Sequence, residues 1–297
     1  MTAATQNGNK ASKNLDYKIK TVDNRDRETF AMKRIFIFGL LLAAVGVLAW
    51  SYKSVQTVAD AQQTAKSETN APAKTNRKAF VLVELFTSEG CLSCPPADVN
   101  LARIEKEQSF ADAEVVTLSL HVDYWNSLGW KDEYSSAVFS RRQQLYSQAL
   151  KLDSNYTPQM IVDGRTEFVG SNEEKTGKAI RDAAKNPKAN VEITRDADNL
   201  EIKLSDLPAH ENATVFLAVT EDNLASNVRR GENSGKRLAH TSVVRELTSL
   251  GMLAAEQKTA EIKTNLQIQP HWKRENLKFV VFVQENASRK IFGVGRS

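Results

Sequence analysis

At 297 residues the chain has room for one large or two ordinary domains with real cores. Its formal charge of +4, from 40 Lys and Arg against 36 Asp and Glu, is too balanced for a nucleic-acid binder, and no basic block interleaved with aromatics is present. Two cysteines in the whole chain exclude a disulfide scaffold.

Residues 1–31 are polar, rich in Asn, Lys, Asp and Thr, and lack apolar periodicity, so they are expected to be disordered. Met32 is a candidate start of translation, which would make them an extension. Met32-Lys33-Arg34 opens an uncharged apolar run, 35–50, with the n-region and h-region of an export signal. The run is short for a span of about 20 residues. Cleavage near Ala59-Asp60-Ala61 and retention of 35–52 as a membrane anchor are therefore both open. Either outcome places the remainder outside the cytoplasm, periplasmic or extracellular, because Lys33 and Arg34 hold the N-terminal side in. Residues 53–78 read as a polar tether.

From Phe80 strands and helices alternate. Residues 80–86 are apolar on both faces, as in a central strand, and Leu101 and Ile104 mark the buried side of the helix that follows Cys94. A second strand is expected over 115–122 and an inserted helix over 135–152, with apolar spacing at Val138, Leu145, Ala149 and Leu152. Residues 159–163 and 166–169 form a hairpin about Asp163-Gly164-Arg165. Ser171-Asn172-Glu173-Glu174 is a capping box that opens a last helix reaching about residue 186. The order βαβαββα is that of a thioredoxin fold, so a thioredoxin-like domain is expected over 79–188. After Pro187 come seven short, mostly alternating segments: 191–194, 200–204, 214–220, 239–247, 260–268, 277–284 and 291–294. They predict a second, β-rich domain over 189–297 built as an antiparallel β-sandwich.

The chemistry concentrates in Cys91-Leu92-Ser93-Cys94-Pro95-Pro96. A disulfide closing so small a ring contributes only about 2 kcal/mol in the chain-entropy model, a weak reason to staple a fold. Pro95 and Pro96 belong in a first helical turn, which puts the helix start near Ser93 with Cys91 just upstream of the positive dipole end. That position favours a thiolate, with a second thiol near enough to resolve a mixed disulfide. Cys91 is read as nucleophile and Cys94 as resolving thiol. A structural zinc half-site would need a second ligand pair, and the four histidines are scattered singly.

The stretches ELFTSEGCLSCPPAD, HVDYWNSLGWKDEY and YTPQMIVDGRTEFVG together resemble the family of secreted thioredoxin-like proteins catalogued as domain of unknown function 1223. The resemblance runs from about Phe80 to the C-terminus. It implies a redox fold without a settled substrate.

Further candidates follow. Glu84 sits in the first strand, where thioredoxin-like proteins often hold a buried acid as proton acceptor; an edge-facing Glu paired with a Lys is the plain alternative. Thr157-Pro158 matches the cis-proline motif that faces the cysteines in such proteins and would present backbone to an extended substrate. His121, Asp123 and Trp125, with Tyr124 and Trp130, end the second strand and are read as a substrate groove, or else as a structural His with an aromatic mini-core. A loop over 227–241 is read as a solvated turn, with partner binding as its alternative.

These readings converge on an exported thiol-disulfide oxidoreductase acting on a protein or small thiol or disulfide, with no cofactor, no metal and no nucleic acid. Two rivals are a copper metallochaperone using Cys91, Cys94 and His121, and a non-catalytic assembly or adhesion module.

Overall fold

The strand β1 (Ala79–Thr87) is buried on both faces from Val81 onward, which its unbroken apolar run requires. The computed structural model describes residues 78–297, all within one compact unit. The expected leader, export segment and most of the tether lie outside the described residues. Among the described residues, no helix is long and apolar enough to cross a membrane.

After β1 come α1 (Pro95–Glu107), β2 (Ala113–His121), a first 3-10 turn (Asn126–Leu128; a second, Arg274–Asn276, precedes the twelfth strand), α2 (Ala137–Leu150), β3 (Gln159–Val162), β4 (Thr166–Val169) and α3 (Glu173–Ala183). The chain then runs through β5 (Asn190–Asp196), β6 (Asn199–Ser205), β7 (Ala213–Glu221), β8 (Leu224–Asn227), β9 (Arg237–His240), β10 (Val243–Leu253), β11 (Ala260–Asn265), β12 (Leu277–Glu285) and β13 (Ile291–Arg296). An eight-stranded mixed sheet carries the order β13-β12-β7-β10-β2-β1-β3-β4. Beside it stand a three-stranded sheet, β11-β6-β5, and the two-stranded ribbon β8-β9.

This architecture overturns the expected thioredoxin-like domain followed by a separate β-sandwich. The structure is mostly β, and its main sheet draws strands from both sides of Pro187, with β10 beside β2 through Val243 and Ser119. The physical reason is legible in β12 and β7. Phe279 to Gln284 are all buried, as inner strands of a wide sheet must be, whereas sandwich strands would expose alternate residues.

Two faces organise the core. Val81, Val83 and Leu85 of β1 pack with Ala97, Leu101 and Ile104 of α1 and with Ala179 and Ile180 of α3. At the far end of the same face, Val215, Leu217, Phe279 and Val281 pack on Val191, Ile202 and Leu204 of the smaller sheet. Leu82 and Phe86 point the other way and meet Phe139 and Tyr146 of α2, together with Ala218, Val244 and Phe282. Helix α2 buries Phe139, Arg142, Gln143, Tyr146 and Ser147, so its inner face is not the one marked by Val138, which is exposed. The α3 cap is Asn172, whose side chain accepts from the Lys175 amide, one residue beyond the expected Ser171.

Candidate functional site

β1 and β2 are parallel, paired in register from Ala79 and Ala113 to Thr87 and His121, so their C-terminal ends open side by side. The chain leaves β1 through Ser88-Glu89-Gly90, where Ser88 Oγ accepts from the Gly90 amide at 3.1 Å and the Ser88 carbonyl accepts from Cys91 at 3.2 Å. Cys91 and Cys94 are joined in a disulfide with Cα atoms 5.4 Å apart. The helix cap is Cys94, not Ser93: Pro95 and Pro96 fill the first turn, and the Cys94 carbonyl accepts from Ala97 and Asp98. Both cysteines are fully buried in the oxidised protein. Leu92 between them is 56% exposed, and Ser93 Oγ stands 3.4 Å from Cys91 Sγ.

The burial of Cys91 has a cause far along the chain. In the loop between β8 and β9, Asn233 Nδ2 donates to the carbonyls of Glu89 and Cys91, each at 2.9 Å, and Glu232 Oε2 accepts from the Leu92 amide at 2.9 Å. Lys236 Nζ steadies Asn233 Oδ1 at 2.9 Å. Gly231 and Gly235 turn the loop with φ of 74° and 83°. A side chain at Gly231 would also press on Trp130 at 3.3 Å. The loop read as a solvated turn is thus a cover over the cysteine motif, and Asn233 at its centre is fully buried. The glycines flanking a lone Asn were the available signal.

Trp125 joins the motif to the proline loop. Its Cβ lies where a side chain on Gly90 would fall, 3.3 Å away, and its Nε1 donates to Thr157 Oγ1 at 2.8 Å. The Thr157–Pro158 bond is cis, and the Pro158 carbonyl accepts from Gly170. Asp123 turns elsewhere: Ser140 Oγ on α2 donates to it at 2.5 Å.

Glu84 also lies apart. It shares the face of Leu82 and Phe86, opposite α1, where Arg142 grips it with Nε at 2.6 Å and Nη2 at 3.0 Å. Tyr146 donates to it as well, and Gln284 completes the group through Arg142 and Tyr146. The carboxylate is paired, but with a buried Arg142 and not with a Lys at a sheet edge, and it is sealed with every oxygen engaged.

A second charged cluster lies on the α1 face behind the disulfide. His121 Nδ1 donates to Asp132 Oδ2 at 2.7 Å, and Asp132 also accepts from the Glu89 and Tyr134 amides. His240 Nε2 donates to Glu89 Oε1 at 3.0 Å, while Trp130 Nε1 holds Glu89 Oε2 at 2.7 Å. Burial works against charge on His121, yet Asp132 outweighs it and holds the imidazole above its usual value. Burial likewise opposes the Asp132 charge, but His121 and two amides keep that carboxyl below the ordinary range. Asp98, one turn along α1 from Cys94, is pushed up to about 6 by burial, against the pull of His121 and His240. Of this cluster the sequence singled out His121 and Trp130. Asp98 was legible as an acid four residues after Cys94, whereas His240 and Asp132 are brought in by folding alone.

Among the described residues no three His, Cys, Asp or Glu side chains stand so as to hold a metal ion. A pocket of about 370 Å³ opens beside Phe80, Lys188 and Asp206, with none of the site residues in its wall.

Protein AGR_C_4864 from Agrobacterium tumefaciens, solved by X-ray crystallography, is 28% identical, with a TM-score of 0.61 over 74% of this chain and 95% of that one. HBP35 of Porphyromonas gingivalis is 16% identical, with a TM-score of 0.51 over 74% and 75% of the two chains, a likeness of fold alone. No curated protein matches the chain. The family described as "Protein of unknown function (DUF1223)" matches residues 82–284, a span that holds both cysteines, the covering loop and the buried cluster, and the chain belongs to that family.

Proposed function

We propose that the protein is an exported thiol-disulfide oxidoreductase whose working group is the Cys91–Cys94 pair. The observation that carries this reading is the disulfide itself, closed across two residues at the start of α1. A link so short constrains the unfolded chain little, by about 2 kcal/mol, so chemistry explains the cysteines better than stability does. The apolar run behind Lys33-Arg34 supports export.

The exchange balances without a further cofactor. A substrate thiolate attacks Cys91 Sγ, the Cys91–Cys94 bond breaks, and Cys94 leaves as a thiolate that takes up a proton. A second substrate thiolate then attacks the mixed disulfide and releases Cys91. The substrate pair leaves as a disulfide and the protein is left as a dithiol; run backward, the same steps oxidise it. The Ser93 hydroxyl beside Cys91 Sγ supplies a hydrogen bond to the thiolate. Substrates are proteins or small thiols and disulfides, and the backbone of Thr157 offers an edge to an extended one.

Changing Cys94 to Ser should trap mixed disulfides at Cys91, visible on non-reducing gels and by mass spectrometry. Trapping confined to the Cys91→Ser protein would reverse the two roles. If dithiothreitol cannot open the disulfide, or neither reduced thiol exchanges with a disulfide substrate, the oxidoreductase reading falls.

A further inference from the structure

Thiol exchange moves protons as well as electrons, and the site keeps sealed groups with no other evident task. Asp98 follows Cys94 by four residues on α1, and its amide donates to the Cys94 carbonyl at 3.2 Å. Side chains so spaced share a helix face, with Cβ atoms about 5–6 Å apart. From β2 comes His121, and from β9 comes His240, their ring centroids 4.9 Å apart. Each ring spends one nitrogen on a carboxylate, Asp132 or Glu89, which fixes the proton on His121 Nδ1 and His240 Nε2. The other nitrogens, His121 Nε2 and His240 Nδ1, are sealed from solvent with no hydrogen-bond partner among the described residues, and so is Asp98 Oδ1. Proteins seldom leave such atoms unsatisfied without a use.

We propose that Asp98, with His121 and His240, is the proton store of the dithiol couple: it gives a proton to the departing Cys94 thiolate when the disulfide opens and takes it back when the disulfide re-forms. This role presupposes the exchange chemistry proposed above. In the reductive direction the Asp98 carboxyl, or the His121 imidazolium, donates to Cys94 Sγ directly or through one water, and becomes carboxylate or neutral imidazole. In the oxidative direction the same base accepts the Cys94 proton as that sulfur attacks the mixed disulfide. The groups facing Asp98 are His121 from β2, His240 from β9, the Thr87 hydroxyl at the end of β1, and Asp132 from the segment after the first 3-10 turn. Glu89 from the turn after β1 and Tyr134, edge-on to both imidazoles with Arg245 over its ring, complete the surroundings. Burial brings Asp98 up to about 6, so it changes protonation close to neutrality, where a store must work.

The test uses the full chain and dithiothreitol as the reducing probe. Opening of the disulfide is followed by tryptophan fluorescence from about pH 5 to 8, each rate divided by the thiolate fraction of the probe. The wild type should show a bend near pH 6 in this corrected rate. Asp98→Asn should remove the bend and slow the reaction about tenfold or more. If Asp98→Asn fails to fold, His240→Gln serves, with a displaced bend expected. A bend and rate that persist in the folded variant overturn the proton store while leaving the oxidoreductase intact. A wild-type disulfide that never opens overturns both.

Discussion

A carboxyl group kept in a sealed place works against the fold whenever it is charged. Asp98 sits at about 6 in the folded protein against 3.8 in the free residue, so between those values the native state binds more protons than the unfolded one. Stability then falls as pH rises through that window, the opposite of a salt-bridged Asp. The full cost, reached above pH 6, is at most about 3 kcal/mol at one pKa unit per 1.36 kcal/mol, because Asp98 is half-buried and only its Oδ1 is sealed. The oxidised Asp98→Asn protein should therefore match the wild type below about pH 4 and exceed it by roughly 2–3 kcal/mol at pH 7, in urea unfolding. Equal stability at both pH values would show that Asp98 is solvated. Glu84 makes the contrast. Both acids stand in apolar surroundings in the sequence, but Glu84 finds Arg142 and is held as an ion pair, while Asp98 finds no cationic side chain with a fixed charge, only two imidazoles that have each spent one nitrogen elsewhere and the Thr87 hydroxyl. Nothing local to either residue announces this, because Arg142 and His240 arrive from distant elements.

Among the elements, those that make their own bonds were legible and those that depend on a neighbour were not. The hairpin β3–β4 could be read because Asp163 and Gly164 adopt the positive φ that its turn needs, 48° and 66°. Helix α1 could be read from its prolines and from Leu101 and Ile104. Helix α2 was found but turned wrongly, since its buried face holds Arg142 and Gln143 in place of an apolar stripe. The β8–β9 loop is the extreme case, a polar and glycine-bearing segment whose partners lie about 140 residues away in Glu89 and Cys91. Replacing Asn233 by Ala removes two buried hydrogen bonds and should cost about 1–3 kcal/mol. With the cover loosened, the disulfide should open severalfold faster with a bulky phosphine. An unchanged rate would mean that access to Cys91 runs by another side.

At the scale of the molecule, the wide sheet makes the redox motif depend on the second half of the chain. Strand β2 carries His121 between β1 and β10, and the face under α2 is closed by Ala218, Val244, Val280, Phe282, Ile291 and Val294. Arg142 takes a hydrogen-bond partner from Gln284 of β12, and the turn at Asp163 is tied to Ile291 by its carbonyl and to Lys188 by its carboxylate. The strand pattern after Pro187 did not reveal this, because hydrophobic runs state that a strand is buried but not which neighbour buries it. A fragment of residues 79–188 would present β2 as a bare edge and leave the α2 face open to water. At about 25 cal/mol per Å² of apolar surface, the burial lost with six side chains is comparable to the usual net stability of a domain. The fragment should accordingly show no cooperative urea transition and no protected amides in β2, whereas residues 78–297 should unfold in one step. A fragment that unfolds cooperatively and still exchanges its disulfide with dithiothreitol would show that the first half is a self-sufficient redox unit and that the remaining strands only cover it.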